Sequence, residues 1–268
     1  MLKDITLGQF FPGDTLAHRL DPRTKILLVT LYIIALFCAK SLVSYSILAL
    51  CLAICVRISK VGLHALVRGL KPVVFIIVFT AVLNLFFTPA EHYLFQWGFL
   101  HVSAQGLRTA FFMVLRIMLL IMGTFLMTYT TSPIGLTDGL ERLLGGLKKV
   151  HVPVHELAMM MSIALRFIPT LIEETDKIMS AQKARGADFE SGNLIQKAKA
   201  LLPILVPLFI NSFRRADELA VAMECRCYHG GEGRTKLHVL RYARRDWIAL
   251  ILGGVILVGV LVLRHFGL

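Results

Sequence analysis

Apolar residues fill a few long stretches of the chain, and charge is confined to the segments between them. From residue 26 to residue 56 the one charge is Lys40. A single helix of that length would measure about 46 Å, against a hydrocarbon core of about 30 Å. Two helices would each be short, near 15 residues, which packing against neighbours can accommodate. The flanking charges choose between them. Arg19, Arg23 and Lys25 precede the run, and Arg57, Lys60, Arg68 and Lys71 follow it. Both clusters lie on the cytoplasmic side only if the chain crosses an even number of times. The pattern therefore predicts a hairpin with Lys40-Ser41 at its outer tip. Residues 72–88 predict a third span containing Asn84, residues 107–131 a fourth carrying Arg116, and residues 247–263 a last one behind Arg241, Arg244 and Arg245. Residues 1–20 read as a polar leader on the cytoplasmic face, 57–71 as a basic inner loop, and 89–106 as an outer loop. That outer loop has no Lys or Arg, and its Tyr93, Trp97 and Phe99 suit an interfacial belt. Asp21 is a good N-cap and Pro22 fits the first helical position, so a helix should start there.

Residues 132–246 differ. They hold 17 of the 29 basic residues and no uninterrupted apolar run long enough to span. Ser132-Pro133 and then Thr137-Asp138-Gly139 should start a short helix through Leu147, and Pro153 should break the chain before the first long helix. Two long helices follow, from about His155 to Arg185 and from about Asn193 to Cys227. In the distal half of the first, Leu171, Ile172, Thr175, Ile178, Met179 and Gln182 share one face, while Glu173, Glu174, Asp176, Lys177, Ser180 and Lys183 lie off it. That is helical periodicity. Pro169 should kink this helix, and Gly186 suits the left-handed residue that stops it. In the second, Pro203 and Pro207 bend the early part. Beyond them Leu208, Phe209, Phe213, Ala216, Leu219, Ala220 and Met223 form a stripe opposed by Arg214, Arg215, Asp217 and Glu218. Two such helices can cross through their stripes and leave both tips free. Each tip carries an arginine, Arg185 or Arg226, whose rigid fork of donors binds carboxylates or carbonyls at fixed geometry.

Composition agrees with the pattern. The chain is 56% hydrophobic and 17% charged, with mean hydropathy +0.71, well beyond the balance of a soluble domain. The net charge of +12 sits beside apolar runs, as membrane orientation requires, and not on a nucleic-acid-binding face. The fold class expected is all-α: a polytopic membrane protein with about five transmembrane helices and long cytoplasmic amphipathic coupling helices. Its parts would be residues 1–131 (leader and four spans), 132–246 (cytoplasmic coupling helices) and 247–268 (last span and a short outer tail). The N-terminus would lie inside and the C-terminus outside. No apolar core occurs in the first 25 residues, so the first span itself should target the chain.

Chemistry is sparse. Cys38, Cys51 and Cys55 lie in apolar runs, and Cys225 and Cys227 in a basic region where thiols stay reduced, so no disulfide framework is expected. Cys225, Cys227 and His229 lack a second ligand pair at zinc spacing. No G-x-x-x-x-G-K-[ST] loop is present, and Asp21, Asp138, Glu173, Glu174 and Asp176 make no metal-binding cluster. No acid falls inside a proposed span, against the wants of a self-contained permease or channel, which stands as the alternative reading. Arg116 should either snorkel outward or pair inside the bundle, and Asn84 should bond between helices. Met159-Met160-Met161 suits an adaptable contact surface.

Four motifs carry a resemblance: Leu20-Asp21-Pro22-Arg23-Thr24-Lys25, Ala164-Leu165-Arg166-Phe167-Ile168-Pro169, the tip Ala184-Arg185-Gly186, and Glu224-Cys225-Arg226-Cys227-Tyr228. Together, over nearly the whole chain, they resemble the transmembrane T component of energy-coupling factor transporters, the family that includes cobalt-type permease subunits. That family has two Ala-Arg-Gly-type motifs in this order. Here the second has cysteine in place of both alanine and glycine, and Cys227 lacks glycine's backbone freedom. The resemblance implies a non-catalytic scaffold in the bacterial or archaeal plasma membrane. Ala184, Arg185 and Gly186, with Glu224, Cys225, Arg226 and Cys227, would each engage one of two cytoplasmic ABC ATPase subunits. A small membrane-embedded substrate-binding (S) subunit would capture a vitamin or transition-metal ion. The chain itself would need no cofactor, ATP being bound by the partner subunits. The remaining partner is the lipid bilayer, with no nucleic acid.

Overall fold

A computed structural model describes residues 10–87, 95–97, 100–150, 152–189, 193–230 and 239–266. The first nine residues of the leader, Tyr93 and Phe99 of the outer loop, and residues 231–233 beyond the second tip lie outside them. The chain forms two compact units, one holding Leu140–Val239 and the other Gly8–Gly139 with Leu240–Leu268. Nearly all regular structure is helical. A three-residue antiparallel hairpin, β1 (Phe95–Trp97) with β2 (Leu100–Val102), is the exception among the described residues.

The second unit is built on α1 (Pro22–Cys38) and α2 (Leu42–Ser59). Asp21 caps α1 as expected, its Oδ1 accepting from the Arg23 N–H at 2.9 Å. Pro22 occupies the first turn, where its missing N–H costs nothing. The long apolar run breaks at Ala39, whose backbone is extended, and Ser41 restarts the helix by accepting from the Val43 N–H. Lys40-Ser41 is therefore a turn. Arg116 of α5 (Ala104–Thr130) fills it from inside. Its Nε donates to the Tyr45 hydroxyl at 3.0 Å, its Nη2 to the Ala39 carbonyl at 3.4 Å, and its guanidinium lies over the Phe37 ring. Of the two fates open to Arg116, pairing within the bundle is the one adopted. Asn84 donates to Thr80 O within its own helix.

Residues 57–71, expected as a loop, hold a helix. Leu63–Leu70 forms α3, which passes through a single 3₁₀ turn at Lys71–Val73 into α4 (Val74–Phe87). Leu66 is completely buried while Leu63 and Val67 stay exposed. One apolar anchor inside the bundle is enough to order a short basic amphipathic helix that charge alone assigns to a loop. Alpha-helices α1, α2, α3, α5 and α9 (Arg244–His265) share the core, which includes Leu36, Tyr45, Leu48, Leu52, Leu66, Leu119, Tyr129 and Val260. Gly123 brings α5 against α1. A β-carbon there would sit 2.6 Å from the Tyr32 ring, whose hydroxyl donates to Leu119 O.

Two buried ionic side chains close the end of this unit. Asp246, 1% exposed, accepts from the Asp21 N–H through Oδ1 and from the Ala243 N–H through Oδ2, both at 2.8 Å. One carboxylate thus caps α9 and ties it to the start of α1. Lys25, also buried, donates to Thr130 O at 2.7 Å and His18 O at 3.3 Å, satisfying carbonyls at the end of α5 and in the leader. Arg23 is held by both oxygens of Asp21 and stacks 3.9 Å over Tyr242.

Among the described residues, five helical stretches are long and apolar enough to cross a membrane: Leu42–Ser59, Leu63–Phe86, Ala104–Thr130, Val154–Ala184 and Arg244–His265. The set differs from the expected one at two places. Helix α1, at 17 residues, falls just short of that length. Helix α7 (Val154–Ala184) joins because its first half carries little charge, although its second half holds Glu173, Glu174, Asp176, Lys177 and Lys183. Large apolar side chains stand exposed on the spanning helices, among them Phe75, Phe79, Ile251 and Val255. Water would not tolerate so continuous an apolar surface. The protein is a multi-pass membrane protein.

Candidate functional site

The other unit contains α7 and α8 (Leu194–Glu224) behind a short helix, α6 (Pro133–Leu144), that reaches into it. The root of α7 is tied to α6 by His155 Nδ1 and Glu141 Oε1, 3.0 Å apart. At the start of α8, Gln196 Oε1 accepts from the Asn193 N–H. Pro169, Pro203 and Pro207 all lie inside unbroken helix.

Side-chain hydrogen bonds join α7 to α8. Glu174 accepts from Asn211 Nδ2 at 2.6 Å and from Arg215 Nη2 at 3.3 Å, and Arg215 also stands over Phe167. Nearer the α7 tip, Gln182 Nε2 donates to the carbonyl of Pro203 at 3.5 Å. The helix leaves that carbonyl free because the residue four positions on is Pro207, which has no N–H. These contacts correct the expected helical faces. Glu174 and Arg215, assigned away from the crossing, are in it. Phe209 and Phe213, assigned to the crossing stripe, are 61% and 68% exposed. The face of α8 toward α7 combines Ile204, Leu208, Asn211, Ser212, Arg215 and Leu219, all buried or half-buried. Val206, Phe209, Ile210 and Phe213 form a separate apolar face that the described residues leave open.

The pairing also fixes where the tips lie. Contacts match Gln182 with Pro203 and Glu174 with Asn211 and Arg215, so the helices run in opposite senses. The α7 tip therefore leaves near the start of α8. From Pro203 to the α8 tip is 21 residues, about 31 Å at 1.5 Å per residue. Arg185 and Arg226 project at two well-separated places.

The tips themselves have one backbone design. Gly186 has φ +86° and Cys227 φ +54°. In the first, the Gly186 N–H donates to Lys183 O and the Ala187 N–H to Gln182 O. In the second, the Cys227 N–H donates to Glu224 O and the Tyr228 N–H to Met223 O. Each pair closes the helix end with a left-handed residue and a bond spanning five positions, a Schellman stop. The register matches residue for residue, so Arg185 and Arg226 occupy the same position in the same turn. Ala184, Arg185, Gly186, Glu224, Cys225, Arg226 and Cys227 are all exposed. Among the described residues neither tip arginine makes an ion pair.

Cys227 thus adopts the conformation that its glycine counterpart takes freely. A side chain there costs about 1–2 kcal/mol. Cys227→Gly is expected to tighten the second tip, slowing hydrogen exchange at the Cys227 and Tyr228 amides by about fivefold. Unchanged or faster exchange would show that the cysteine is not strained.

Chain comparisons agree with this architecture. The profile of a family described as cobalt transport protein, CbiQ, matches residues 13–237. The energy-coupling factor transporter transmembrane protein EcfT of Clostridium kluyveri is 59% identical over 93% of this chain and 93% of its own. The EcfT of Thermosediminibacter oceani is 53% identical over 98% and 99%. That of Bacillus subtilis is 48% identical over 94% and 95%. With likeness of this extent, the chain belongs to the family of transmembrane T components of energy-coupling factor transporters.

Proposed function

We propose that the chain is the scaffold that couples ATP hydrolysis by two cytoplasmic ABC ATPase subunits to uptake of a vitamin or transition-metal ion held by a separate small membrane subunit. The observation that carries this reading is the duplication of one tip. Two exposed arginines sit in Schellman turns of matching hydrogen-bond register, about 30 Å apart along α8. Such a pair fits two copies of one groove, or two related grooves, better than it fits a single ligand. A guanidinium projecting from a closed helix end can enter a groove and meet acids or carbonyls bidentately. Because α7 and α8 are cross-linked by Glu174, a displacement imposed on either tip is passed to the other helix.

The open face of Val206, Phe209, Ile210 and Phe213, with exposed Met160 and Met161 on α7, supports the second half of the reading. A small, mostly apolar membrane subunit would cover it, and soft methionines let the surface accept more than one such partner. ATP would be bound by the ATPase subunits. The spans would be α1, α2, α4, α5 and α9, placing the N-terminus inside and the C-terminus outside.

Co-purification from native membranes tests the assignment. Two ATPases and one small hydrophobic protein should be recovered with the chain, and a C-terminal reporter active only outside the membrane should be active. A solitary chain that transports in vesicles would replace the scaffold with the permease reading.

A further inference from the structure

A cavity of about 710 Å³ lies in the membrane-helix unit. One wall is the leader segment around Phe11, Asp14 and His18. The other is the turn from α2 into α3, with Arg57 and Lys60. Both walls are held in place. His18 closes the leader loop, with Nε2 3.0 Å from Phe11 O and Nδ1 2.7 Å from the Thr15 hydroxyl. Phe11 N–H donates to Tyr129 O at 3.0 Å, anchoring the loop on α5. The buried Ser59 hydroxyl donates to Val56 O and accepts from the Val61 N–H, which fixes the turn. A volume of this size is that of a small-ligand site.

Lys60 is the informative residue. It sits at φ +55°, a left-handed position at the end of α2 that glycine would take without cost. Strain of this kind points to a function for the side chain, and what lysine adds over glycine is a positive charge on the cavity wall. Arg57, one turn back, adds another. Among the described residues neither makes an ion pair, and the one acid lining the cavity is Asp14. Excluding His18, the lining carries one net positive charge. Both cations stand at the C-terminal end of α2, just past the apolar run that stops at Val56, where a span formed by this helix would meet the headgroup layer. Exposed Phe11, Leu16, Ile58 and Leu63 stand beside them as acyl chains would require.

We propose that this cavity binds the phosphodiester headgroup of an anionic phospholipid, with Arg57 and Lys60 on the phosphate and the neighbouring apolar side chains along the acyl chains. A lipid held there would pin the leader against the α2–α3 turn.

Native mass spectrometry of the detergent-purified full chain tests this with dioleoyl phosphatidylglycerol, dioleoyl phosphatidylcholine and inorganic phosphate as probes. Wild type should retain phosphatidylglycerol over phosphatidylcholine. The double variant Arg57→Gln/Lys60→Gln should lose about twenty-five-fold in retention, each cation near a lipid surface contributing roughly fivefold. A Lys40→Gln/Arg108→Gln control, of equal net charge, should retain it. Lys60→Gly removes the charge while relieving the turn, so it should lose roughly fivefold without unfolding and decides the matter if the double variant fails to fold. Retention equal to wild type in the Lys60→Gly or double variant would overturn the proposal. So would equal binding of phosphatidylcholine, or displacement by millimolar inorganic phosphate.

Discussion

Arg185→Glu is expected to abolish uptake and to remove one ATPase from the purified complex while leaving the chain folded. Arg185 is exposed at the end of α7, and its turn is closed by backbone bonds from Gly186 and Ala187, so its side chain holds nothing together within the chain. A buried arginine anchor at an interface is typically worth 2 kcal/mol or more, about thirtyfold in affinity. Reversing the charge adds repulsion to that loss. Arg226→Glu should do the same to the other ATPase. Arg185→Lys should be intermediate, since an ammonium keeps the charge but not the two-pronged geometry. The measurement is subunit stoichiometry after purification, alongside uptake by cells. Normal stoichiometry and uptake in the double charge reversal would end the coupling assignment of both tips.

Asp246→Ala is the substitution expected to cost the membrane unit most stability. Its carboxylate is buried and accepts two backbone N–H bonds, one from its own helix start and one from Asp21, 225 residues earlier in the chain. Loss of the cap costs about 1 kcal/mol, and a buried Asp21 N–H without a partner a further ~1–3 kcal/mol. For a chain of this size the sum lowers the melting temperature by roughly 4–16 °C. Asp246→Asn separates the two contributions. Its carbonyl oxygen serves one donor, and its amide nitrogen faces the other, so it should recover less than half of the loss. Thermal unfolding in detergent reads both, and an alanine variant melting with wild type would dismiss the link between α1 and α9.

The second tip carries a lesson about substitution. Cysteine in place of glycine puts the turn in question from sequence alone, because the left-handed region disfavours a β-carbon. The folded chain nevertheless forms the same turn at Cys227 as at Gly186. Two bonds, to Glu224 O and Met223 O, stabilise it enough to hold the strained residue. What distinguishes the tips is therefore their side chains: Lys183 and Asp188 about the first, Glu224, Cys225, Tyr228 and His229 about the second.

Much of the architecture is legible in one dimension because its causes are local. The Asp21-Pro22 start, the break at Lys40-Ser41, the unbroken helices around Pro169 and Pro203, and the stop at Gly186 depend on neighbours a few residues away. The apolar runs announce a membrane protein because lipid demands them wherever they pack. Tertiary structure decided the rest. Periodicity marked one stripe on α8, but that helix has two distinct faces, and only packing against α7 selects the one with Asn211 and Arg215 and leaves Phe209 and Phe213 open. Leu66 turns a basic loop into α3 by finding a cavity in the bundle, and Asp246 joins helices from opposite ends of the chain. The sequence by itself determined where the long helices begin and end, though not the short α3, and which residues their tips present. Which faces meet, and how far apart the two arginines stand, followed from long-range contacts that no local pattern encodes.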